Sequence, residues 1–288
     1  IAESTDNVVL LEAGCLCCTI ADSLQETLAD LNFRRVRGEV PPFERVVIET
    51  TGLANPAPIL NTLLGHPLVT SHFRLDAVIA TVDAQHALAN IERHAEVAKQ
   101  IAAADRLVVT KTDVAQPADI ERLKLRLAQL NPVAEMLESR SGSAALAAFA
   151  PGDPHRVRAI APSPAGHRHA HDVNVHDEHI RAHCFILEGS VSWSGVAAWC
   201  RLAAETFGDR LLRCKGLLEI AGSGEIVFLQ GVQRVFHRPE RLPAWPDDDH
   251  RPRLVCITWD VEETELRRSL RALWLPAGAD PGITLADL

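Results

Sequence analysis

Three cysteines stand within four positions near the start of the chain, in the run Gly14-Cys15-Leu16-Cys17-Cys18. Thiolates suit zinc or copper(I), and a structural zinc site normally has about four ligands. No second ligand pair is obvious nearby, so the set is incomplete, as expected for a site that loads and releases a metal ion. Buried core thiols and a redox pair are the alternatives, although buried thiols rarely cluster in this way.

A second motif joins an apolar run to an acid and a glycine, in Arg45-Val46-Val47-Ile48-Glu49-Thr50-Thr51-Gly52. An acid at the end of a strand can hold Mg²⁺, usually through water, beside the phosphates of a nucleotide. A glycine three residues on lets its backbone N–H approach a terminal phosphate closely. Glu49 and Gly52 are therefore candidates for phosphate chemistry. A buried strand followed by an ordinary turn would give the same pattern.

A third motif, Thr110-Lys111-Thr112-Asp113, directly follows the apolar run Leu107–Val109. In GTPases a strand leads into Asn-Lys-x-Asp, where the carboxylate accepts hydrogen bonds from guanine N1 and N2 and the lysine stem covers the base. Adenine lacks that pair of donors. Thr110 stands here in place of the asparagine, and a charged loop is the alternative. Because Glu49 ends an apolar run about sixty residues upstream, the pattern favours guanine binding.

Histidines accumulate in the proline-rich segment that separates the two halves of the chain. The most closely spaced are His167, His169 and His171, and His176, His179 and His183 follow. Alternate imidazoles in a flexible segment can gather a divalent ion loosely, so these residues are secondary candidates for metal binding. A solvated linker with chance histidines is the alternative.

The composition limits the classes of partner. The chain has 288 residues and a formal net charge of −9, which argues against a general nucleic-acid binder with a basic face. No apolar run reaches the roughly 18 residues that a membrane span needs, and no signal peptide is visible. Seven cysteines, an odd number, suggest a reducing compartment. We therefore expect a cytoplasmic protein that binds neither nucleic acid nor membranes.

Short apolar runs alternate with helical patterns in the first half of the chain. The predicted strands are Val8–Leu11, Val46–Glu49, Ala77–Val82, Leu107–Val109 and Ala134–Leu137. The predicted helices are Ile20–Leu31, Ala84–Ala103 with Asp83 as N-cap, and a helix that opens at Pro117 and stops at Asn131. This alternation predicts a doubly wound parallel sheet, which binds ligands at the carboxyl ends of its strands.

The second half has a different order of elements, which predicts a small α+β domain. Its predicted strands are His183–Leu187, Leu217–Ile220, Ile226–Leu229 and Leu254–Trp259, and its predicted helices are Trp193–Thr206 and Glu262–Leu273. Gly222-Ser223-Gly224 predicts a hairpin turn. We place the domain boundaries at 1–150 for the nucleotide domain, 151–180 for the linker, 181–276 for the second domain and 277–288 for the tail.

Taken in order, these motifs resemble those of the CobW-type GTPases, which are relatives of the nickel-insertion GTPases of urease and hydrogenase. The N-terminal motifs are Gly14–Cys18, Glu49–Pro56, Thr81-Val82-Asp83-Ala84 and Thr110–Asp113. The C-terminal ones are Arg213-Cys214-Lys215-Gly216, Gln230-Gly231-Val232-Gln233 and Trp245. The resemblance implies a P-loop NTPase-like, mostly parallel sheet followed by a small α+β domain.

The resemblance also implies a function. In this family GTP binding and hydrolysis, with Mg²⁺, drive delivery of a metal ion to a metal-requiring client protein. Zinc is the expected metal, and cobalt and nickel are the alternatives. A homodimer is also possible for this family resemblance. Cys15, Cys17 and Cys18 would be the metal ligands.

The nucleotide residues follow from the same resemblance. Glu49 would lie near Mg²⁺, and Gly52 would sense the γ-phosphate. Lys111 and Asp113 would bind guanine, with Thr110 at a position where many members have Asn or Ser.

One family motif is not found in the sequence. The family begins with a strand and a Gly-x-x-Gly-x-Gly-Lys-Thr phosphate loop, whose amides and lysine hold the β- and γ-phosphates. We therefore expect an N-terminally truncated GTPase domain that binds GTP poorly, and GTPase activity only if the segment exists in the native protein. A non-hydrolysing metal-buffering module is the first alternative, and a thiol redox protein is the second.

Overall fold

The computed structural model describes residues 18–150, Val157 and residues 179–276. These residues belong to two compact units. The first comprises the chain up to Thr50 together with Pro58–Leu75, and the second comprises Thr51–Ala57 and the chain from Asp76 onwards. The predicted strand Val8–Leu11 lies outside the described residues. None of the described helices is long and apolar enough to cross a membrane.

The first unit is helical in its described part. Helix α1 (Cys18–Val36) confirms and extends the helix predicted over Ile20–Leu31, and α2 (Ala57–Gly65) and α3 (Pro67–Thr70) follow. Leu24 and Leu28 lie four residues apart on one face of α1 and pack with Val69 in a small buried cluster. Helix α2 lies in a region for which the sequence analysis predicts no helix.

The strand predicted over Val46–Glu49 is wrong. This segment has no regular secondary structure and no strand partner among the described residues. A strand is stable only when its backbone N–H and C=O groups pair with a neighbour. The side chain of Val46 packs against the helical cluster instead, while Val47 is 62% exposed.

The second unit contains a three-stranded parallel sheet in the order β1-β2-β3. Strands β1 (Ile79–Asp83), β2 (Arg106–Thr110) and β3 (Glu135–Glu138) confirm three predicted strands. The central strand is the most buried of the three, and Leu107 and Val109 are fully buried. Helix α6 (Pro117–Leu130) confirms the predicted helix and connects β2 to β3, and the short helix α7 (Ala145–Ala148) follows β3.

The helix predicted over Ala84–Ala103 is two helices, and its predicted N-cap is wrong. Helix α4 (Ala87–Arg93) begins after His86, and α5 (Ala95–Ala103) begins after His94, whose backbone is extended at φ −131° and ψ 106°. Asp83 ends strand β1, and its carboxylate accepts a hydrogen bond from the N–H of Gln85 and one from Lys111. It therefore lies four residues before the first residue of the helix.

The C-terminal part contains a six-stranded antiparallel sheet in the order β4-β9-β5-β6-β7, with β8 also paired to β6. The strands are β4 (Ile180–Ile186), β5 (Leu211–Glu219), β6 (Ile226–Val232), β7 (Val235–Phe236), β8 (Glu240–Leu242) and β9 (Arg253–Trp259). The predicted hairpin is confirmed, because β5 pairs with β6 and Gly222 and Gly224 have φ values of 83° and 66°.

Two helical segments complete this part. Helix α8 (Trp193–Thr206) has the predicted bounds, and the Ser192 hydroxyl caps it by accepting a hydrogen bond from Gly195 N–H at 2.8 Å. Helix α9 (Glu263–Ser269) continues as a 3₁₀ turn over Leu270–Trp274. Trp199 of α8 is fully buried in the core of this part.

A buried ionic cluster joins the parallel sheet to the antiparallel sheet within the second unit. The Asp105 carboxylate, just before β2, lies 2.6 Å from Lys215 Nζ and 3.1 Å from Arg213 Nη2, both on β5. It also accepts a hydrogen bond from Val78 N–H at 2.8 Å. Burial alone would raise the pKa of Asp105, but the charges of Lys215 and Arg213 and these hydrogen bonds bring it down to about 2.

Candidate functional site

The carboxyl ends of β1 and β2 bring two of the sequence motifs together. Register places Asp83 directly opposite Thr110, and Ala84 N–H donates to the Thr110 carbonyl at 3.0 Å. Lys111 comes next with a left-handed backbone, at φ 59°, and its Nζ lies 2.6 Å from Asp83 Oδ2. The lysine of the motif is therefore held by a carboxylate from the neighbouring strand.

The electrostatics of this pair favour the ionised carboxylate. Partial burial by itself would raise the pKa of Asp83. Hydrogen bonds from Lys111, from Gln85 N–H and from His86 outweigh burial and lower the pKa to about 2. Asp83 is consequently charged at any physiological pH, and it keeps Lys111 in place.

The loops after β2 and β3 meet beside Asp113. Thr112 is buried and donates to the Ser139 carbonyl at 3.3 Å, whereas Asp113 is exposed. The Ser141 hydroxyl lies 3.4 Å from Asp113 Oδ2, within the turn that also contains Gly142 at φ 80°. An exposed carboxylate accepts hydrogen bonds only, so Asp113 suits the two adjacent N–H donors of guanine.

The loop over residues 51–56, here named the Gly52 loop, begins with a tight turn. Ala54 N–H donates to the Thr51 carbonyl at 3.0 Å. The Gln100 side-chain amide, on α5, reaches this turn and contacts the carbonyls of Gly52 at 3.1 Å and Ala54 at 2.8 Å. Asn55 then accepts a hydrogen bond from Ala57 N–H at 3.1 Å, which marks the start of α2.

The far end of the Gly52 loop borders the antiparallel sheet. Asn55 and Pro56 line a small cavity together with Lys99 of α5, Leu212 of β5 and Val232 of β6. This end of the loop therefore lies next to the β5–β6 region of the C-terminal sheet.

The remaining candidate residues are placed only in part. Glu49 is exposed and belongs to the first unit. Cys18 is the first residue of α1, and only the backbone of Cys18 is described. Cys15, Cys17, His167, His169 and His171 lie outside the described residues. Within the described residues, no group of three or more His, Cys, Asp or Glu side chains could hold a metal ion.

The cysteines of the C-terminal part belong to its apolar core. Cys214 and Cys256 are fully buried opposite each other on β5 and β9, and Cys200 packs against the same core. Burial raises the pKa of the Cys200 thiol to about 12 and raises that of Cys214 as well. The Cys200 and Cys214 thiols therefore stay protonated and are poor metal ligands.

Three contacts at the site were not anticipated from the sequence. The ion pair of Asp83 with Lys111 could have been suspected, because Asp83 lies in the Thr81–Ala84 motif at the end of a strand. The contacts of Gln100 and Ser141 carry no such signal, since neither residue lies in a recognised motif.

Comparison with known proteins identifies the family to which this chain belongs. Residues 1–138 match the model of the CobW/HypB/UreG nucleotide-binding domain, and residues 180–274 match that of the cobalamin synthesis protein CobW C-terminal domain. The chain belongs to the CobW/HypB/UreG family. It is 32% identical to the zinc chaperone YjiA of Escherichia coli (strain K12), over 95% of this chain and 84% of that protein.

Other members of the CobW/HypB/UreG family are more distant. The zinc chaperone CobW of Sinorhizobium sp is 25% identical over 93% of this chain and 81% of its own length. The zinc-regulated GTPase metalloprotein activator 1 of Schizosaccharomyces pombe is 23% identical over 86% of this chain and 67% of its own length.

A solved structure supports the fold of this CobW-family chain. The crystal structure of the Zn(II)-bound YjiA GTPase from E. coli superposes with a TM-score of 0.70 at 31% identity, covering 88% of this chain and 77% of that one. The prediction of a mixed α/β fold, with a parallel sheet followed by a small C-terminal α+β domain, is confirmed.

Proposed function

We propose that this protein is a GTP-dependent zinc chaperone that couples GTP hydrolysis to delivery of the metal to a client protein. The observation that carries the proposal is the position of Lys111 just past the carboxyl end of β2, where Asp83 at the end of β1 holds it, with Asp113 exposed two residues on. The relatives named above as zinc chaperones and as a zinc-regulated GTPase favour this function over metal buffering without hydrolysis.

The described residues fit a guanine base. Asp113 would accept hydrogen bonds from guanine N1 and N2, and the aliphatic stem of Lys111 would cover the base. Thr110 takes the strand-end position beside them, where its hydroxyl donates to the Val82 carbonyl at 3.3 Å. Specificity for guanine over adenine then comes from Asp113, because adenine lacks the paired donors.

We assign the phosphate end to Glu49 and Gly52. The Glu49 carboxylate is exposed, which suits a group that faces Mg²⁺ through water. Mg²⁺, when bound with GTP, would neutralise charge on the β- and γ-phosphates. The Gly52 N–H would meet the γ-phosphate, so the loop would respond to GTP differently from GDP.

Zinc is the cargo in this proposal, and Cys15, Cys17 and Cys18 are its ligands. The histidines His167, His169 and His171 would assist loosely from the linker. Because the C-terminal thiols Cys200, Cys214 and Cys256 are core residues, they are excluded from the ligand set.

Each segment defined by the sequence boundaries has its own role in this proposal. Residues 1–150 would bind nucleotide, 151–180 would form the linker, 181–276 would help to select the client, and 277–288 would be a tail. A cytoplasmic location and a homodimer are further parts of the proposal, which cell fractionation and sedimentation would check.

The test combines metal stoichiometry with nucleotide turnover in the full-length protein. Zinc should bind tightly at about one ion per chain and stimulate GTP hydrolysis. Replacing Cys17 and Cys18 by alanine should abolish both effects, whereas the matched pair Cys184→Ala and Cys200→Ala should abolish neither. Retention of stoichiometric zinc after loss of Cys17 and Cys18 would refute the ligand assignment.

A further inference from the structure

Gln100 on α5 hydrogen-bonds to the turn at the start of the Gly52 loop. Its Nε2 lies 2.8 Å from the Ala54 carbonyl oxygen, 3.1 Å from that of Gly52 and 3.5 Å from that of Thr51. An amide nitrogen has two protons, so the two short contacts are full hydrogen bonds and the contact to Thr51 is a weaker, secondary one. The Nε2 group of Gln100 therefore contacts three backbone carbonyls of the same turn.

This arrangement fixes the direction in which the backbone N–H of Gly52 points. The Thr51 carbonyl and the Gly52 N–H belong to the same peptide group, and in a trans peptide they point in opposite directions. The described residues contain no cis peptide bond. Because the Thr51 carbonyl faces α5, the Gly52 N–H faces away from it.

The peptide group after Gly52 obeys the same rule. The Gly52 carbonyl points to Gln100, so the N–H of Leu53 points away from α5 as well. Two consecutive N–H groups that face the same side form a concave donor pair suited to an anion. Each of these N–H groups shares a peptide group with a carbonyl that faces Gln100. The N–H groups therefore cannot turn unless the carbonyls of Thr51 and Gly52 turn away from Gln100.

Gly52 itself allows this turn to move. A Cβ atom added at Gly52 would meet nothing within 4 Å, so packing does not hold the residue in place. Apart from the turn's own Ala54 N–H bond, the Gln100 amide supplies the hydrogen bonds that the structure shows to its carbonyls. A side chain on a helix thereby holds a loop that is otherwise loosely packed at this point.

We propose that Gln100 is a positioning residue for nucleotide sensing, which directs the N–H groups of Gly52 and Leu53 toward the γ-phosphate. This inference rests on the proposed function, in which Gly52 meets that phosphate. Gln100 touches no reacting group and acts through the loop backbone. An amide is required, since a carboxylate at the same place would present oxygen to oxygen and repel the three carbonyls.

The test compares Gln100→Glu with Gln129→Glu in the full-length protein. Gln129 is exposed on α6, where its side-chain oxygen accepts a hydrogen bond from Arg126, so it controls for the added charge. Backbone amide hydrogen exchange of residues 52–54 is measured first, without nucleotide. Affinities for GDP and for a non-hydrolysable GTP analogue are measured next, with kcat and KM for GTP.

We expect Gln100→Glu to speed amide exchange in the loop and to weaken binding of the GTP analogue by about five- to tenfold, the loss of two neutral hydrogen bonds. GDP affinity should change less than about twofold, and kcat should fall more than KM rises. Gln129→Glu should leave all of these values unchanged. This pattern separates positioning from a general loss of structure, which would affect both nucleotides.

Two results would overturn the inference, and they are distinguishable. Unchanged amide exchange in Gln100→Glu would show that Gln100 does not hold the loop, while the proposed function would stand. Faster exchange with unchanged discrimination between the GTP analogue and GDP would show that Gln100 holds a loop that does not sense the γ-phosphate, so the role given to Gly52 would fail with it.

Discussion

Lys111 Nζ lies 2.6 Å from Asp83 Oδ2, although the two residues are 28 positions apart in the sequence. The parallel pairing of β1 and β2 causes this proximity, because it places Asp83 opposite Thr110 at the ends of the strands. A flexible lysine side chain loses conformational entropy when a ligand orders it. Because the ion pair with Asp83 already orders Lys111, part of that loss no longer opposes ligand binding. In the proposed function, Asp83 thus positions Lys111 for guanine without contacting the base itself.

Removing this ion pair should weaken nucleotide binding modestly. We expect Asp83→Asn to weaken GDP binding by about two- to fivefold, the range for a partly exposed ion pair. Binding is measured by titration with a fluorescent GDP derivative. Asp119→Asn, which removes a comparable exposed pair with Arg122 on α6, is the control and should have no effect. Equal GDP affinity in wild type and Asp83→Asn would remove Asp83 from the site.

Replacing the guanine-reading carboxylate should change base specificity. In Asp113→Asn the amide can accept only one hydrogen bond from guanine, but its NH₂ group can donate to the C2 oxygen of xanthine. We expect GDP affinity to fall by about ten- to hundredfold, the cost of losing hydrogen bonds to a charged group. Xanthosine diphosphate should bind the variant better than it binds wild type. Competition titration compares the two nucleotides, and a parallel loss of both would contradict the role of Asp113.

Gly52→Ala should separate stability from nucleotide sensing. Gly52 has a backbone conformation open to other residues and free space around its Cβ position, so unfolding in urea should occur at an equal or slightly higher concentration. The added methyl group would obstruct the close approach of the γ-phosphate, so a GTP analogue should bind at least about tenfold more weakly while GDP binding is retained.

The same substitution at Gly222 provides the contrast. Gly222 has φ +83° in the β5–β6 turn, where an alanine is strained. Gly222→Ala should therefore destabilise the protein by about 1 kcal/mol and leave both nucleotide affinities unchanged. If Gly52→Ala were the more destabilising of the two, the local conformation described for the Gly52 loop would be wrong.

Asp105 should be important for stability. Asp105→Asn would remove the carboxylate that lies against the buried Arg213 and Lys215, and breaking a buried ion pair in this way costs about 3–5 kcal/mol. Urea unfolding at pH 7 measures the change. Asp209→Asn, which removes an exposed pair with Arg234, should cost less than about 1 kcal/mol. A similar small effect at both positions would show that the buried cluster contributes little.

The pKa of Asp105 also sets a pH window. Its pKa is lowered from 3.8 to about 2 in the folded protein, so its stabilising contribution is complete above the unfolded value. That contribution should be lost as the pH falls from about 4 to 2, because the unfolded chain binds the proton first. The unfolding free energy of wild type should therefore fall across this range more steeply than that of Asp105→Asn.

Local signals were sufficient for much of the fold. The predicted bounds of the helix Trp193–Thr206 are correct, and the structure adds the reason for its start, because Ser192 caps it. Strand β2 was predicted from Leu107 and Val109, which are buried by the sheet and by the helices that cover it. In each case the short-range preference and the long-range packing agree.

Other features depend on neighbours that a sequence does not name. An apolar run such as Val46–Ile48 has the composition of a strand, but pairing decides whether one forms. The break at His94 has no proline or glycine to mark it. Gln100 and Ser141 gain their roles from residues 48 and 28 positions away, respectively.

The two faces of strand β5 pack into two different buried regions. Arg213 and Lys215 reach Asp105 on one side, and Cys214 lies in the core formed with α8 on the other. Gain or loss of a single residue here would turn the two cations into that core and the thiol toward Asp105. Evolution can therefore exchange side chains in the Arg213–Gly216 motif far more easily than it can change the motif's length, so related sequences should align across it without gaps.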